Sequence, residues 1–251
     1  MNNISILSLI LSIFISQSIA DDGFKLAKAM EDRLAPIDIK SESTMILTNK
    51  DGKTRISKLK SWAGEDNKKQ IIWFLEPKDD RGVAFLKIEH EGGDDEMRLW
   101  LPAFKKVRRI SSNKKSGSFM GSDMSYEDMT TRELDEYDYS IEGSDIVDGK
   151  ECFILISIPK DKKANSYSKF KTWVTKKDTL AIKEEAYDKR DKLLKLRTII
   201  FKKFDKYTIP VEIYVENVQQ NHNTRLNIDH IEVDTKIDDS VFQEKNLKRI
   251  P

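Results

Sequence analysis

The strongest constraint on this chain is how little separates its apolar runs. Thr44–Thr48 and Thr54–Trp62 are joined by Asn49-Lys50-Asp51-Gly52-Lys53, and Tyr137–Ile146 meets Lys150–Ile158 across Val147-Asp148-Gly149. Both links carry the Asp-Gly pair that marks a hairpin turn. Lys177-Asp178-Thr179 stands between Phe170–Lys176 and Leu180–Tyr187, Asp188–Lys192 turns into Leu193–Phe204, and Gln220–Thr224 links Val211–Gln219 to Arg225–Val233. A parallel neighbour needs a crossover of a dozen or more residues, so strands this close in sequence lie antiparallel. Lys69–Leu75, Gly82–Glu89 and the stretch beginning at Glu96 continue the series, with no long helical period in the interior. A sheet of so many hairpin strands must curl or close.

Two of these runs fix what the sheet must bury. Ile71-Ile72-Trp73-Phe74-Leu75 and Val83-Ala84-Phe85-Leu86-Lys87-Ile88 do not alternate as a sheet with one wet face would, so both faces are covered. A filled sandwich and a lined hollow both satisfy that pattern. Phe24, Leu26, Ala27, Met30 and Leu34 fall at helical spacing before Pro36, which predicts one amphipathic helix over 22–34 that covers part of the sheet. Asp238–Phe242 reads as a short capped helical turn.

Ile4–Ile19 is apolar apart from small polar residues and ends in Ser18-Ile19-Ala20 before Asp21-Asp22, the form of a cleavable signal peptide over residues 1–20. Residues 21–251 then suit a single exported domain. Cys152 is the only cysteine, so no internal disulfide forms, and its place in Cys152-Phe153-Ile154-Leu155 reads as a buried strand position. Lys and Arg number 44 against 43 Asp and Glu, a net charge of +1 that provides no global field to recruit nucleic acid. His90, His222 and His230 lack metal-ligand spacing, no G-x-S-x-G occurs, and Gly121-Ser122-Asp123 has no neighbouring base. No enzyme activity, cofactor or metal is expected.

The stretch Glu96–Met129 is the most particular. Met97, Leu99 and Leu101 alternate with Arg98 and Trp100, Pro102 ends the strand, and Lys105, Lys106, Arg108 and Arg109 surround Val107. A Ser/Asn/Lys/Gly segment, Ser111–Ser118, leads to Phe119-Met120-Gly121-Ser122-Asp123-Met124-Ser125-Tyr126-Glu127-Asp128, where apolar side chains occupy what should be a polar loop. The order L-W-L-P-A-x-K-K-V-R-R-I, spacer, F-M-G-S-D-x-S-Y-E-D resembles the outer-membrane lipoprotein-sorting protein family, relatives of the LolA carrier and the LolB receptor. The resemblance implies a mainly β fold, a strongly curved antiparallel sheet forming an unclosed β-barrel, with short helices over an apolar hollow that holds acyl chains.

From that resemblance the expected function is a periplasmic carrier of lipoprotein acyl chains, or of another lipid, toward the outer membrane. The alternative is a non-carrying accessory subunit of an exporter of the resistance-nodulation-division or MMPL type. Expected partners are the lipid cargo, an inner-membrane exporter or transporter and an anionic membrane surface, with no nucleic acid, and the chain is expected to be a monomer. Candidate ligand-binding residues are Trp73, Phe85, Leu99, Trp100, Leu101, Phe104, Phe119, Met120, Met124 and Tyr126. Sequence period does not say which strand face lines the hollow. Lys105, Lys106, Arg108 and Arg109 are expected to dock an anionic surface or partner, and Gly117–Asp128 to act as a gate hinged at Ser116-Gly117-Ser118.

Overall fold

The computed structural model describes residues 21–90 and 92–251. The segment expected to be a signal peptide, residues 1–20, lies outside the described residues. Residues 21–31 form helix α1. The strands are β1 (Asp38–Thr48), β2 (Thr54–Gly64), β3 (Lys69–Glu76), β4 (Ala84–Ile88), β5 (Glu96–Leu101), β6 (Lys106–Arg109), β7 (Tyr137–Val147), β8 (Lys150–Pro159), β9 (Lys169–Thr175), β10 (Ala181–Tyr187), β11 (Leu193–Phe204), β12 (Tyr207–Asn217) and β13 (His222–Val233). Short 3-10 turns, Glu127–Met129 and Glu244–Lys248 among them, punctuate the rest.

The strands make one antiparallel sheet in the order β6-β5-β4-β3-β2-β1-β13-β12-β11-β10-β9-β8-β7. Two meanders, each built from the short turns of the sequence, meet where β1 pairs with β13, Ile39 opposite Val233 and Thr48 opposite Asn223. β6 and β7 follow one another in the chain yet stand at opposite ends of the order. The ladder is therefore not closed, and residues 110–136 between those edges are free to do something other than pair. The Asp-Gly turns fit their backbone, with φ of +75° at Gly52, +50° at Asp148 and +74° at Gly149, the left-handed angles that tight hairpins require.

Several boundaries differ from the sequence expectation: α1 ends at residue 31 and not 34, β1 begins at Asp38 and β2 runs to Gly64, and two differences in the second half have a visible cause. β12 begins at Tyr207 and runs through Pro210, which the ladder tolerates because pairing with β13 starts only at Glu212. β13 begins at His222, because the Asn217 side-chain oxygen accepts from the amides of Gln219 and Gln220, both at 3.2 Å, and shortens the loop.

The contact pattern divides the chain into two compact units, one of the segment ending at Arg33 with Arg132–Thr198, the other of Leu34–Thr131 with Ile199–Pro251. In the first, α1 packs Leu26 and Ala27, with Met30 beside them, on Leu155 of β8 and Val174 of β9. Gly23 is required there, since a Cβ would fall 2.7 Å from the Ser140 backbone. Cys152 is fully buried, and burial raises its thiol pKa. A buried carboxylate, Glu184, accepts two hydrogen bonds from Arg132, at 2.6 and 2.9 Å, and one from Thr172 Oγ1 at 3.1 Å, with Arg197 2.8 Å away.

The second unit buries both faces of its strands, as the unbroken apolar runs demanded. On one face Ile71 and Trp73 of β3 pack with Ala84 and Leu86 of β4 under Phe242 and Leu247 of the C-terminal segment. On the other, Ile72, Phe74, Phe85 and Leu99 pack under Phe119 and Tyr126. The cover expected from the amphipathic helix comes, in this unit, from the chain's own C-terminus. The helix spends its apolar side on β8 and β9 instead.

Candidate functional site

Strand alternation sends neighbouring side chains to opposite faces, so the apolar residues singled out in the sequence do not form one surface. Phe85 and Leu99 face the side covered by Phe119 and Tyr126, and Leu101, Met120 and Met124 pack at the margin of that cluster. Trp73 and Trp100 lie on the other face. There the Trp73 indole Nε1 donates to the Asn246 carbonyl at 3.3 Å, and Lys248 Nζ sits 4.9 Å from the Trp100 ring. Phe104, in the 3-10 turn Pro102–Phe104, is 70% exposed and joins neither cluster. Met45 and Leu47 of β1, Leu59 of β2 and Met97 of β5 complete the loop-covered face.

What covers this face is a short hairpin, not a helix. The Ser122 amide donates to the Phe119 carbonyl at 2.9 Å across Met120 and Gly121, whose φ values are +51° and +80°. Two positive φ angles in the centre give a type I′ turn, which Gly121 adopts freely and Met120 adopts at some cost. Ser118 bridges Ser125, and the amides of Phe119 and Tyr126 donate to Met124 and Gly117 carbonyls at 2.8 and 3.0 Å. With its two arms hydrogen-bonded to each other, the hairpin can insert Phe119 as a plug. That ring lies 5.2 Å from Phe85, 5.9 Å from Tyr126 and 6.1 Å from Phe74, the spacing of favourable edge and tilted pairs.

Three polar anchors hold the plug. Asp123, buried at the hairpin's far side, receives the Thr224 hydroxyl at 2.7 Å while its own amide donates to Thr224 Oγ1 at 2.9 Å, and His222 Nδ1 lies 2.7 Å from the same carboxylate. Ser125 and Asp128 exchange hydrogen bonds, amide to carboxylate at 2.7 Å and amide to hydroxyl at 3.2 Å, in the reciprocal manner of a capping box. Finally, Lys87, completely buried in β4, donates to Glu89 at 2.5 Å and to the Met129 carbonyl at 2.7 Å. Burial lowers the Lys87 pKa and the Glu89 carboxylate opposes that shift. Glu89 in turn accepts from the Thr131 amide at 3.2 Å. The segment proposed as a gate is thus hydrogen-bonded within itself, and any opening must release Asp123 from β13.

The basic run is divided in the same way as the apolar one. Val107 packs with Trp100 on the C-terminally covered side, and Arg109 shares its parity. Lys106 and Arg108 point to the plug side, where Arg108 lines a cavity of about 340 Å³ with Lys114, Ser116 and Tyr126. Lys105, at φ +50°, closes the 3-10 turn before β6. Sequence reasoning missed the Asp123–Thr224–His222 anchor, which joins residues about a hundred positions apart and leaves no local signal. It missed Lys87 as well, although a lone charge inside an apolar strand must find a partner.

Comparison with known proteins agrees with this architecture. A family profile described only as an uncharacterized protein matches residues 66–249, and no curated protein of similar sequence was found. A domain from Vibrio parahaemolyticus, described as an outer membrane lipoprotein-sorting protein, is 32% identical over 92% of this chain and all of its own, with a TM-score of 0.86. A DUF1329 family protein from Desulfovibrio piger is also 32% identical, over 91% of this chain and 99% of its own, at a TM-score of 0.85. A LolA superfamily protein from Nitrosomonas europaea, 18% identical over 91% of this chain and 97% of its own, shares the fold at a TM-score of 0.69. With its unclosed antiparallel sheet, and a third of its residues shared with two solved relatives along nearly its whole length, the chain belongs to the outer-membrane lipoprotein-sorting protein family and has the LolA-like fold.

Proposed function

We propose that this chain is a periplasmic carrier. It receives acyl chains of a lipoprotein or another lipid on the face formed by Phe85, Leu99, Leu101 and their neighbours, and passes them toward the outer membrane. The observation that carries the reading is the nature of the cover over this face. Here a ten-residue hairpin, tied to β13 through Asp123, inserts one aromatic ring and flanks it with Met120 and Met124. Unbranched methionine side chains repack against guests of varying shape. Movement of the hairpin would expose Phe85, Leu99 and Phe119 together, and an acyl chain would take the place of the plug.

The energetics suit a shuttle. Each buried CH₂ is worth about 0.8 kcal/mol in a bilayer or in a protein interior, so a face of this kind matches the membrane without trapping its cargo. An inner-membrane exporter or transporter would supply the cargo, and Lys105 and Lys106 would meet an anionic surface, each adding about 1 kcal/mol that salt weakens. A fluorescent fatty acid tests the reading. Parent protein should take it up saturably, and Leu99→Glu should abolish uptake while circular dichroism stays β-rich. Uptake unchanged in the variant would move the hollow elsewhere. No uptake by the parent would favour the accessory-subunit reading.

A further inference from the structure

We infer that the cavity between β6 and the base of the plug is a subsite for a single oxyanion, the phosphate or carboxylate headgroup of an amphiphile. Its lining includes Arg108, Asn113, Lys114, Ser116 and Tyr126, and no acidic residue. In a chain with nearly equal numbers of acids and bases, two cations converging without a counter-ion is a local decision. Lys115, the next residue, is paired with Asp95 at 2.6 Å, whereas Arg108 and Lys114 have no carboxylate at ion-pair distance among the described residues. A guanidinium and an ammonium left unpaired at a concave surface are suited to a phosphate or carboxylate.

Neutral donors complete the set. Asn113 accepts from the Ser111 hydroxyl through its oxygen, at 2.7 Å, and so keeps its amide N–H groups to give. Burial raises the Tyr126 phenol pKa against the opposing charge of Arg108, so the hydroxyl keeps its proton and can donate. Tyr126 also fixes what the rest of the ligand is. The ring that lines the cavity stands 5.8 Å from Phe85, and buried Ile110 belongs both to the cavity wall and to the same apolar cluster. Charged rim and apolar floor are therefore contiguous, which is the arrangement an anionic lipid would need. A volume of about 340 Å³ is at the small end of ligand pockets, enough for a headgroup and not for its chain. As a headgroup site this proposal rests on the carrier reading; as an oxyanion site it does not.

Titration calorimetry and amide NMR on the protein at low ionic strength separate these possibilities, using oleoyl lysophosphatidate, neutral monooleoylglycerol and inorganic phosphate. The parent should bind lysophosphatidate about tenfold or more tightly than monooleoylglycerol. Arg108→Gln with Lys114→Gln should erase that preference and leave monooleoylglycerol affinity unchanged, while Arg108→Lys should keep most of it. Equal affinity of the parent for both lipids, or a preference that survives the double substitution, overturns the proposal. If neither lipid binds, the carrier reading fails and phosphate alone decides. Saturable shifts at the amides of Lys114–Ser118, absent from the double variant, then support a free-phosphate site, and no saturable response overturns it.

Discussion

Glu184 shows how much one side chain can hold in place. Burial by itself would raise its carboxyl pKa, but the guanidinium groups of Arg132 and Arg197 and the Thr172 hydroxyl outweigh burial and bring it from 4.5 to about 2. The folded-state pKa lies below the unfolded one, so the ionised carboxylate contributes stability above pH 4.5, and that contribution fades as pH falls from there toward 2. Glu184→Gln removes the carboxylate from between two half-buried guanidinium groups and should cost about 1–3 kcal/mol at pH 7. Urea unfolding at pH 7 and at pH 2.5 should show the gap between parent and variant narrowing at the lower pH. A constant gap would mean that packing, not charge, is what the substitution removes. Asp123 makes a comparable prediction on the plug. Asp123→Ala strips Thr224 and His222 of their acceptor, costs about 1–3 kcal/mol, and should speed amide exchange at Phe119 and Tyr126 more than in β3 or β4. Uniform acceleration would show that the hairpin has no motion of its own.

Among the elements, the C-terminal segment 237–248 does the work that the sequence assigned to α1. It covers Ile71, Trp73 and Leu86, and Phe242 and Leu247 are the side chains it buries there. Leu247→Ala should therefore cost about 2–5 kcal/mol, as a lower midpoint in urea, and red-shift tryptophan emission because Trp73 gains water. An unperturbed midpoint would show the segment to be dispensable. The hairpins themselves were readable because their cause is local: Asp51-Gly52 and Asp148-Gly149 must turn, and the runs on either side must then pair. That Ile71–Leu75 is covered on both faces was readable too. Which face meets which cover was not, since Ile71 and Ile72 have the same chemistry and the covers come from segments about 50 and 170 residues further on. For the same reason Trp73 and Trp100 could not be separated from Phe85 and Leu99 by pattern, and the basic run could not be divided between Arg108 and Arg109 until β6 had a register.

For the whole molecule, the open strand order gives the chain its character. Two meanders joined at β1 and β13 leave β6 and β7 as unpaired ends, and residues 110–136 run between them without strand structure. A closed ladder would have had no such segment to spare. The apolar plug, its anchors on β13 and β4, and the cationic cavity at its base all belong to that one connection or to its immediate contacts. Photo-crosslinking with a diazirine-bearing palmitate, followed by peptide mass spectrometry, tests the central claim most directly, because it reports both whether an acyl chain binds and where. Label should concentrate on peptides carrying Leu99, Leu101, Met120 and Met124, and unlabelled palmitate should compete it away. Label confined to the peptide bearing Trp73 and to the C-terminal segment that covers it, or spread without competition, would contradict it.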